Sequence, residues 1–385
     1  MSSPVAKIQV PAPARQARSQ TAEWHVERLH DLTQLRRLLP QWQELAARAA
    51  EPNVFYEPWM LLPAIELFHP RLRLEVYAVH RRTRTTRQLV GLIPFERGRR
   101  FGPVPIPHRR LLRYYFCALC TPLLDREHGE GAARQLVRTL RRERGVVDFE
   151  LVAGDGPVAG WLRSALGEYD LLIERASDRA LYLPAATAED YLRATLRPDK
   201  RRDLRRLERR LAEHGAVEFA SLRPDEPPDD WTEAFLRLEA SGWKGRGNSA
   251  LAASEQSARY FRRICRSAHR LDRLELHALR VGGRDVAQIC LLAGGGGLFA
   301  LRTAYDEDYA RYSPGMLLSV WHTCALHERR HVLWIDSCSA PDNRLVNQIW
   351  KGRRPLLHLR VADGLSASML RCGNATAALL RRARA

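Results

Sequence analysis

The chain has no apolar run that approaches the roughly 20 residues needed to cross a bilayer. Its first 20 residues are rich in proline and alanine and lack the apolar core of a secretory signal. No Walker loop, no GxSxG elbow and no GxGxxG after a strand is present, which argues against kinases, serine hydrolases and dinucleotide enzymes. We therefore expect a cytoplasmic protein of another class.

The seven cysteines are scattered and odd in number, which argues against a disulfide framework. Cys117 and Cys120 have a metal or redox spacing, but they lie in an aromatic, apolar run with no second pair nearby. We interpret them as buried thiols, with a metal or redox role as the alternative, and we expect no metal ion.

The chain of 385 residues carries a net charge of +18. Its arginine blocks are spread along the chain, which suits a generally basic surface better than one dedicated nucleic-acid patch. The alternatives are attraction to an anionic substrate, to CoA or to nucleic acid. The length favours two domains.

The segment from Leu274 to Met316 is the most informative part of the sequence. Three strand-like runs, 274–281, 285–293 and 298–305, are separated by glycine pairs or a glycine run that suit tight turns. Ser313, Pro314 and Gly315 then suit the cap and first turn of a helix. Exposed N–H groups and the helix dipole would favour an anion at this N-terminus. The simpler alternative is a meander followed by a well-capped helix.

Four short motifs in this order resemble one protein family. They are Asn53–Met60, the basic stretch Lys200–Leu211, Leu238–Gly245 with its Trp243-Lys244, and the pattern from Tyr305 to Gly315. Together they are similar to the GNAT-superfamily acyltransferases associated with cellulose biosynthesis, the CelD-like group. That group is related to the double-GNAT transferases of the Fem type.

The resemblance implies an α/β fold of two tandem GNAT-like domains with mixed, mostly antiparallel sheets. The expected division is a leader at 1–22, an N-terminal domain at 23–180, an acyltransferase domain at 181–365 and a tail at 366–385. The expected co-substrate is acetyl-CoA or another acyl-CoA, and the acceptor is a small molecule, glycan or peptide in the cleft between the halves.

The resemblance also supplies candidate site residues. Expected cofactor contacts are Arg302, Ser313, Pro314, Gly315, Met316 and Leu317, and the backbone of 300–303 would pair with pantetheine amides. Asp306, Asp336 and Tyr305 are candidates for proton handling at strand ends. Trp243, Lys244 and Tyr309 are candidates for substrate binding. The alternatives are that the aspartates cap turns, that Trp243 anchors a loop and that Tyr309 packs in the core.

Two other functions remain open at this level. One is Fem-like transfer from an aminoacyl-tRNA, which the basic surface favours. The lysine that the resemblance predicts near position 347 is Asn347, which counts against this function. The other is a non-catalytic GNAT scaffold that binds a polyanion or a protein. The basic face of the helix predicted over 199–213 suits a solvated surface or an anionic ligand.

Overall fold

The computed structural model describes residues 22–68, 73–101, 105–242, 247, 250–328 and 332–371. Its strands form one mixed sheet with helices on both faces, so the predicted α/β class with mostly antiparallel pairing is confirmed. Among the described residues, no helix combines the length and the apolar character needed to cross a membrane.

The N-terminal half alternates helices with strands. Its elements are β1 (Glu23–Leu29), α1 (Leu32–Arg37), α2 (Leu39–Ala47), α3 (Pro58–Phe68), β2 (Leu74–Arg82), β3 (Arg87–Gly98), β4 (His108–Leu111), β5 (Leu123–Leu124), α4 (Gly129–Arg141), β6 (Val146–Ala153), α5 (Pro157–Leu166) and β7 (Leu171–Tyr182). The apolar periodicity of 32–49 predicts one helix, but two form. Pro40 has no N–H to continue the first helix and fits the first turn of the second.

The C-terminal half follows the same alternation. Its elements are α6 (Ala188–Thr195), α7 (Pro198–Leu211), β8 (Val217–Ser221), α8 (Asp229–Ser241), α9 (Glu255–Arg270), β9 (Leu274–Val281), β10 (Arg284–Gly294), β11 (Gly297–Tyr305), α10 (Pro314–Glu328), β12 (Ile335–Asp336), α11 (Arg344–Ile349) and β13 (Gly352–Ala362). The three predicted strands of the meander are confirmed to within a residue or two. Gly295 and Gly296 have φ values of 59° and 77°, which favour glycine in the turn between β10 and β11.

One sheet runs through both halves in the order β1-β2-β3-β4-β6-β13-β7-β12-β11-β10-β9-β8, with β5 beside β3. Among the described strands, only β4 with β6 and β11 with β12 pair in parallel. The other pairs are antiparallel.

The two halves share the middle of this sheet. Strand β13 lies between β6 and β7, pairing Leu356 with Ala153 on one side and with Ser177 on the other. The division predicted between residues 180 and 181 falls inside β7, which also pairs with β12. The halves are therefore joined by backbone hydrogen bonds as well as by packing.

Apolar side chains reinforce this junction on one face of the sheet. The rings of Phe55 and Phe299, one from each half, meet edge to face with centroids 5.5 Å apart. The hydroxyl of Tyr260 on α9 donates to the carbonyl of Met60 on α3 at 3.1 Å. A second core on the opposite face packs α6, α7, α10 and α11 against the strands. An edge-to-face pair such as Phe55 and Phe299 adds roughly 1 kcal/mol of stability beyond that from the area it buries.

Candidate functional site

The N-terminus of α10 lies just beyond the end of β11. A short 3-10 helix, Glu307–Tyr312, connects the two and ends at Ser313, whose φ is 53°. Ser313, the predicted cap residue, has a left-handed backbone. Its carbonyl nevertheless accepts from the N–H groups of Met316 at 2.9 Å and Leu317 at 3.1 Å. A left-handed non-glycine residue costs on the order of 1–3 kcal/mol and is often found at a binding site.

A cavity of about 290 Å³ opens at this N-terminus. The residues that line it are Lys200, Tyr305, Ala310, Ser313, Pro314, Gly315, Met316, Arg344, Leu345 and Gln348. Five residues predicted for the site, Tyr305 and 313–316, are thus brought together. A Cβ built on Gly315 would come no closer than 3.4 Å to Leu345, so the backbone of this turn is open toward the cavity.

Two cationic side chains border the cavity. Lys200 comes from the first turn of α7, with its Nζ 3.7 Å from the carboxylate of Asp203. Arg344 is the first residue of α11 and is exposed. Together with the N–H groups and dipole of α10, these charges favour an anion.

The sheet opens beside the cavity. Strand β12 has only two residues and pairs with Leu298 and Phe299, so the later residues of β11 have β10 on one side and no partner in β12 on the other. The register shift between Cys290 and Leu291 leaves Leu301 as an extra residue in β11, which bends the strand there. Cys338, with φ of 51°, turns the chain away after β12. Strand β12 therefore does not extend beside 300–303, and the pairing of this backbone with pantetheine amides stays a prediction.

Arg302 lies on the other face of the sheet, at the junction between the halves. Its Nη2 donates to the hydroxyl of Tyr115 at 3.0 Å, and its Nε lies 3.2 Å from the buried carboxylate of Glu239. Glu239 also accepts from the N–H of Leu251 at 2.8 Å. The structure therefore places Arg302 away from the cavity at α10.

Asp306 lies in a separate cavity of about 510 Å³ beside α8. One carboxylate oxygen accepts from the N–H of Asp308 at 3.0 Å and the other accepts from Arg284 Nη2 at 2.6 Å. This arrangement fits the alternative that Asp306 caps a turn, and its part in proton transfer stays a prediction.

Asp336 is buried in an ion-pair cluster between the halves. It accepts from Arg179 Nη2 at 2.6 Å, from Arg354 Nη1 at 2.8 Å and from the N–H of Cys338 at 2.9 Å. Burial alone would raise the pKa of this carboxyl, but the two guanidinium groups outweigh burial and hold its pKa below 3.8. Such a carboxylate remains an anion and accepts a proton poorly.

The remaining predicted residues are dispersed. Trp243 and Lys244 lie outside the described residues. Tyr309 contacts His214, with ring centroids 6.0 Å apart, as in the packing alternative. Leu317 lines an apolar groove of about 500 Å³ between α10 and helices α6 and α7.

Sequence reasoning missed several residues that the fold brings to these sites. Lys200 and Glu239 stand in two of the family-like motifs without a role assigned to them, and Arg344 and Tyr115 carry no local signal. A further pattern, His327-Glu328-Arg329-Arg330-His331, has the HExxH spacing of some zinc enzymes. His327 Nδ1 donates to the carbonyl of Thr323 at 2.8 Å, while 329–331 lie outside the described residues.

Comparison with known proteins agrees with this geometry. Residues 198–341 match the model of a family described as an acetyltransferase (GNAT) domain. No curated protein matches the sequence. The matched segment contains α7, the meander and α10, so it includes most of the cavity described above. The specific likeness to the CelD-like group stays a prediction.

Several solved structures share the fold over most of the chain. FemX has a TM-score of 0.53 at 10% identity, over 90% of this chain and 99% of its own. A conserved protein of unknown function from Bacteroides thetaiotaomicron has a TM-score of 0.51 at 14% identity, over 84% of this chain and 97% of its own. The C-terminal domain of a candidate lysylphosphatidylglycerol synthetase from Agrobacterium fabrum has a TM-score of 0.50 at 14% identity, over 88% of this chain and 95% of its own. The GNAT family match thus concerns residues 198–341, and the three structures share the fold of the chain as a whole.

Proposed function

We propose that this chain transfers an acyl group from acyl-CoA to an amine or hydroxyl acceptor. The observation that carries the proposal is the open, cation-bordered N-terminus of α10 beside the gap between β11 and β12. Fold and family match support an acyltransferase, and the choice of acetyl-CoA or a longer acyl-CoA is part of the proposal.

The phosphates of CoA would bind at the first turn of α10. N–H groups at a helix N-terminus point toward a bound anion, and the dipole adds favourable charge. Lys200 and Arg344 would contact the same phosphates from α7 and α11. Tyr305 forms part of the cavity wall, so in this proposal it contacts the cofactor.

The pantetheine arm would run along β11 inside the gap. Strand β12 pairs only with Leu298 and Phe299, so the arm would lie beside the later part of β11 and align with it as an added strand. The thioester would then reach the bend at Leu301. The acceptor would approach from the opposite face, near Tyr115 and Arg302 at the junction between the halves.

In the transfer step, the acceptor nitrogen or oxygen attacks the thioester carbonyl carbon. The new C–N or C–O bond forms, the C–S bond breaks, the acceptor loses a proton and the CoA thiolate gains one. Asp306 remains our candidate for taking the acceptor proton. Asp336, held as an anion between Arg179 and Arg354, would instead fix the end of β12.

A second candidate is transfer from an aminoacyl-tRNA. Its specific support is the fold shared with FemX and the exposed basic face of α7, made by Arg202, Arg205, Arg206 and Arg209. Asn347 stands where the resemblance predicts a lysine, which counts against it. A scaffold without activity would bind a polyanion or protein and turn over neither donor.

Titration of acetyl-CoA and of tRNA in separate calorimetric experiments at physiological salt tests these proposals. We expect acetyl-CoA to bind with a shallow salt dependence, and tRNA to bind weakly and to be lost near physiological salt. Submicromolar tRNA binding that survives this salt, and disappears when the four α7 arginines become glutamine, would favour aminoacyl-tRNA over acyl-CoA as the donor. Absence of acetyl-CoA binding and of transfer would contradict the first proposal.

A further inference from the structure

A second chemically distinctive cluster lies farther along α10. Glu275 and His277 are on β9, two residues apart and thus on one face of the strand, and His322 projects from α10 toward them. The carboxylate and imidazole atoms that can act as ligands all lie within 4.8 Å of one another. His322 is about 10 Å along the helix from Gly315 at 1.5 Å per residue, so the cluster is separate from the proposed CoA site.

We propose that Glu275, His277 and His322 bind a divalent transition-metal ion, with Zn²⁺ as the favoured ion. His277 Nε2 lies 3.2 Å, and His322 Nε2 3.9 Å, from the same oxygen of Glu275. A tetrahedral ion with ligands at about 2.1 Å holds the ligand atoms about 3.4 Å apart, so the three groups need move little. Two imidazoles and a carboxylate suit Zn²⁺ and its neighbours better than Mg²⁺ or Ca²⁺.

Residues around the cluster orient the imidazole of His277. Ser221 Oγ lies 2.8 Å from Nδ1 of His277, and when Nδ1 donates to it, Nε2 presents a lone pair toward Glu275. Trp321 packs edge-on against the His277 ring at 5.8 Å and is itself stacked on Phe219 at 5.1 Å. These contacts limit ring rotation, as is typical of metal-binding histidines.

The cluster also faces space for a further ligand. Its three residues line a cavity of about 680 Å³, together with the glycine turn 294–297 and Asp272. Arg273, also at this cavity, is ion-paired with Glu57. A three-residue ligand set leaves a coordination position open, as in catalytic zinc sites, and here that position would face the cavity.

Metal binding by the purified full chain tests the proposal. After treatment with a chelator, Co²⁺ would be titrated while its visible absorption is recorded, and Zn²⁺ would then compete for the site. We expect one equivalent of Co²⁺ with a tetrahedral spectrum, displaced by Zn²⁺. Absence of binding above buffer would overturn the proposal.

Variants identify the ligands. Glu275→Gln and His322→Gln should each weaken Zn²⁺ binding at least about 100-fold, and Ser221→Ala about 10-fold, the range for residues that orient a ligand. His327→Gln, on the same helix, is the matched control and should leave the affinity unchanged. Circular dichroism and thermal unfolding would confirm that each variant is folded.

Two results would contradict the assignment. Equal Zn²⁺ affinity in wild type and in the Glu275→Gln, His322→Gln double variant would show binding elsewhere, and loss in His327→Gln alone would move the site to the HExxH pattern. Added azide should alter the Co²⁺ spectrum. An unchanged spectrum would overturn the open coordination position.

Discussion

Each of the two parallel strand pairs is connected through a helix, α4 between β4 and β6 and α10 between β11 and β12. The N-termini of these two helices differ in their surroundings. In the N-terminal half, Asp125 precedes α4 and accepts from the N–H groups of Glu127 and His128, each at 3.0 Å. A Cβ on Gly129 would meet the ring of Trp161 at 2.3 Å. In the C-terminal half, α10 opens into a cavity. The same β–α arrangement is closed in one half and open in the other.

The next helix of the N-terminal half is closed in the same way. The carboxylate of Glu51 accepts from the N–H of Val158 in the first turn of α5 at 2.7 Å. Two helices of this half thus meet a carboxylate of the chain itself at their N-termini, while Lys200 and Arg344 stand near α10. An external anion is therefore expected at α10 and not at α4 or α5.

The largest expected effect is a loss of stability when the buried aspartate in the second strand of a parallel strand pair is replaced. These aspartates are Asp336 in β12 and Asp148 in β6. Asp336→Asn leaves Arg179 and Arg354 without their shared buried carboxylate and should cost about 3–5 kcal/mol of unfolding free energy. Asp148→Asn should cost less, because Arg360 and His358 beside it are partly exposed. Urea unfolding at neutral pH measures both, and equal losses would contradict the difference.

Glu51→Gln should stabilise the protein at neutral and higher pH. Burial raises the pKa of Glu51 from 4.5 to about 7. Between these values the folded state keeps a proton that the unfolded state has lost, so the wild type loses stability as pH rises. By linkage the loss approaches about 3 kcal/mol above pH 7.

The pH profile of the difference tests this prediction. Glutamine retains an acceptor for the N–H of Val158 and cannot ionise. The difference in unfolding free energy between variant and wild type should therefore grow from pH 4.5 to 7 and stay constant above pH 7. A constant difference across this window would show that Glu51 does not titrate as proposed. Glu174→Gln, in the exposed first part of β7, is a control without expected gain, because the ion pair with Arg163 lowers the pKa of Glu174.

Gly315→Val should weaken acetyl-CoA binding by about 2 kcal/mol, because its methyl groups would occupy the backbone approach to α10 and remove buried hydrogen bonds. The fold should tolerate it, since a Cβ there meets Leu345 at 3.4 Å. Gly160→Val, in α5 with no neighbour within 4 Å, controls for valine in a helix.

Gly129→Val makes the complementary test in the closed half. Overpacking against Trp161 should cost about 1–3 kcal/mol of stability while leaving calorimetric affinity for acetyl-CoA unchanged in the folded fraction. A folded Gly315→Val protein that binds as wild type would place the CoA site elsewhere.

The smallest effect is expected from the cations at α10. Lys200→Gln and Arg344→Gln should each weaken acetyl-CoA binding by about 1 kcal/mol or less, because the charges are partly solvated. The double variant should also show a flatter salt dependence. Arg202→Gln, on the exposed face of α7, is the matched control, and an equal loss there would favour a diffuse charge effect.

The sequence predicted the local parts of this molecule well. The glycine turns, the periodicity of 274–317 and Pro314 at a helix start each act over a few residues, and β9, β10, β11 and α10 appeared where expected. The pairing of 300–303 with pantetheine amides rests on the family resemblance and stays a prediction. Asp336 could not be interpreted from the sequence alone, because Arg179 and Arg354 reach it through the fold.

Other features also depend on residues far apart in the chain. Arg302, a candidate from the resemblance, contacts Tyr115 and Glu239, and the extra residue at Leu301 changes the alternation of faces along β11 beside it. Glu275 and His277 are 45 or more residues from His322, so no local pattern joins them. The boundary predicted between residues 180 and 181 falls inside β7, whose exposed and mostly polar residues 174–178 do not show the apolar pattern of a buried strand.

The position of β13 has a consequence for the order in which the protein is made. Strand β6 remains a bare edge on one side until residues 352–362 leave the ribosome, since β13 is its partner there. A chain arrested near residue 180 would display β6 and β7 with unsatisfied backbone groups, which invites pairing with other chains. The sheet of the N-terminal half is therefore completed only after most of the C-terminal half has been made, when β13 inserts between β6 and β7.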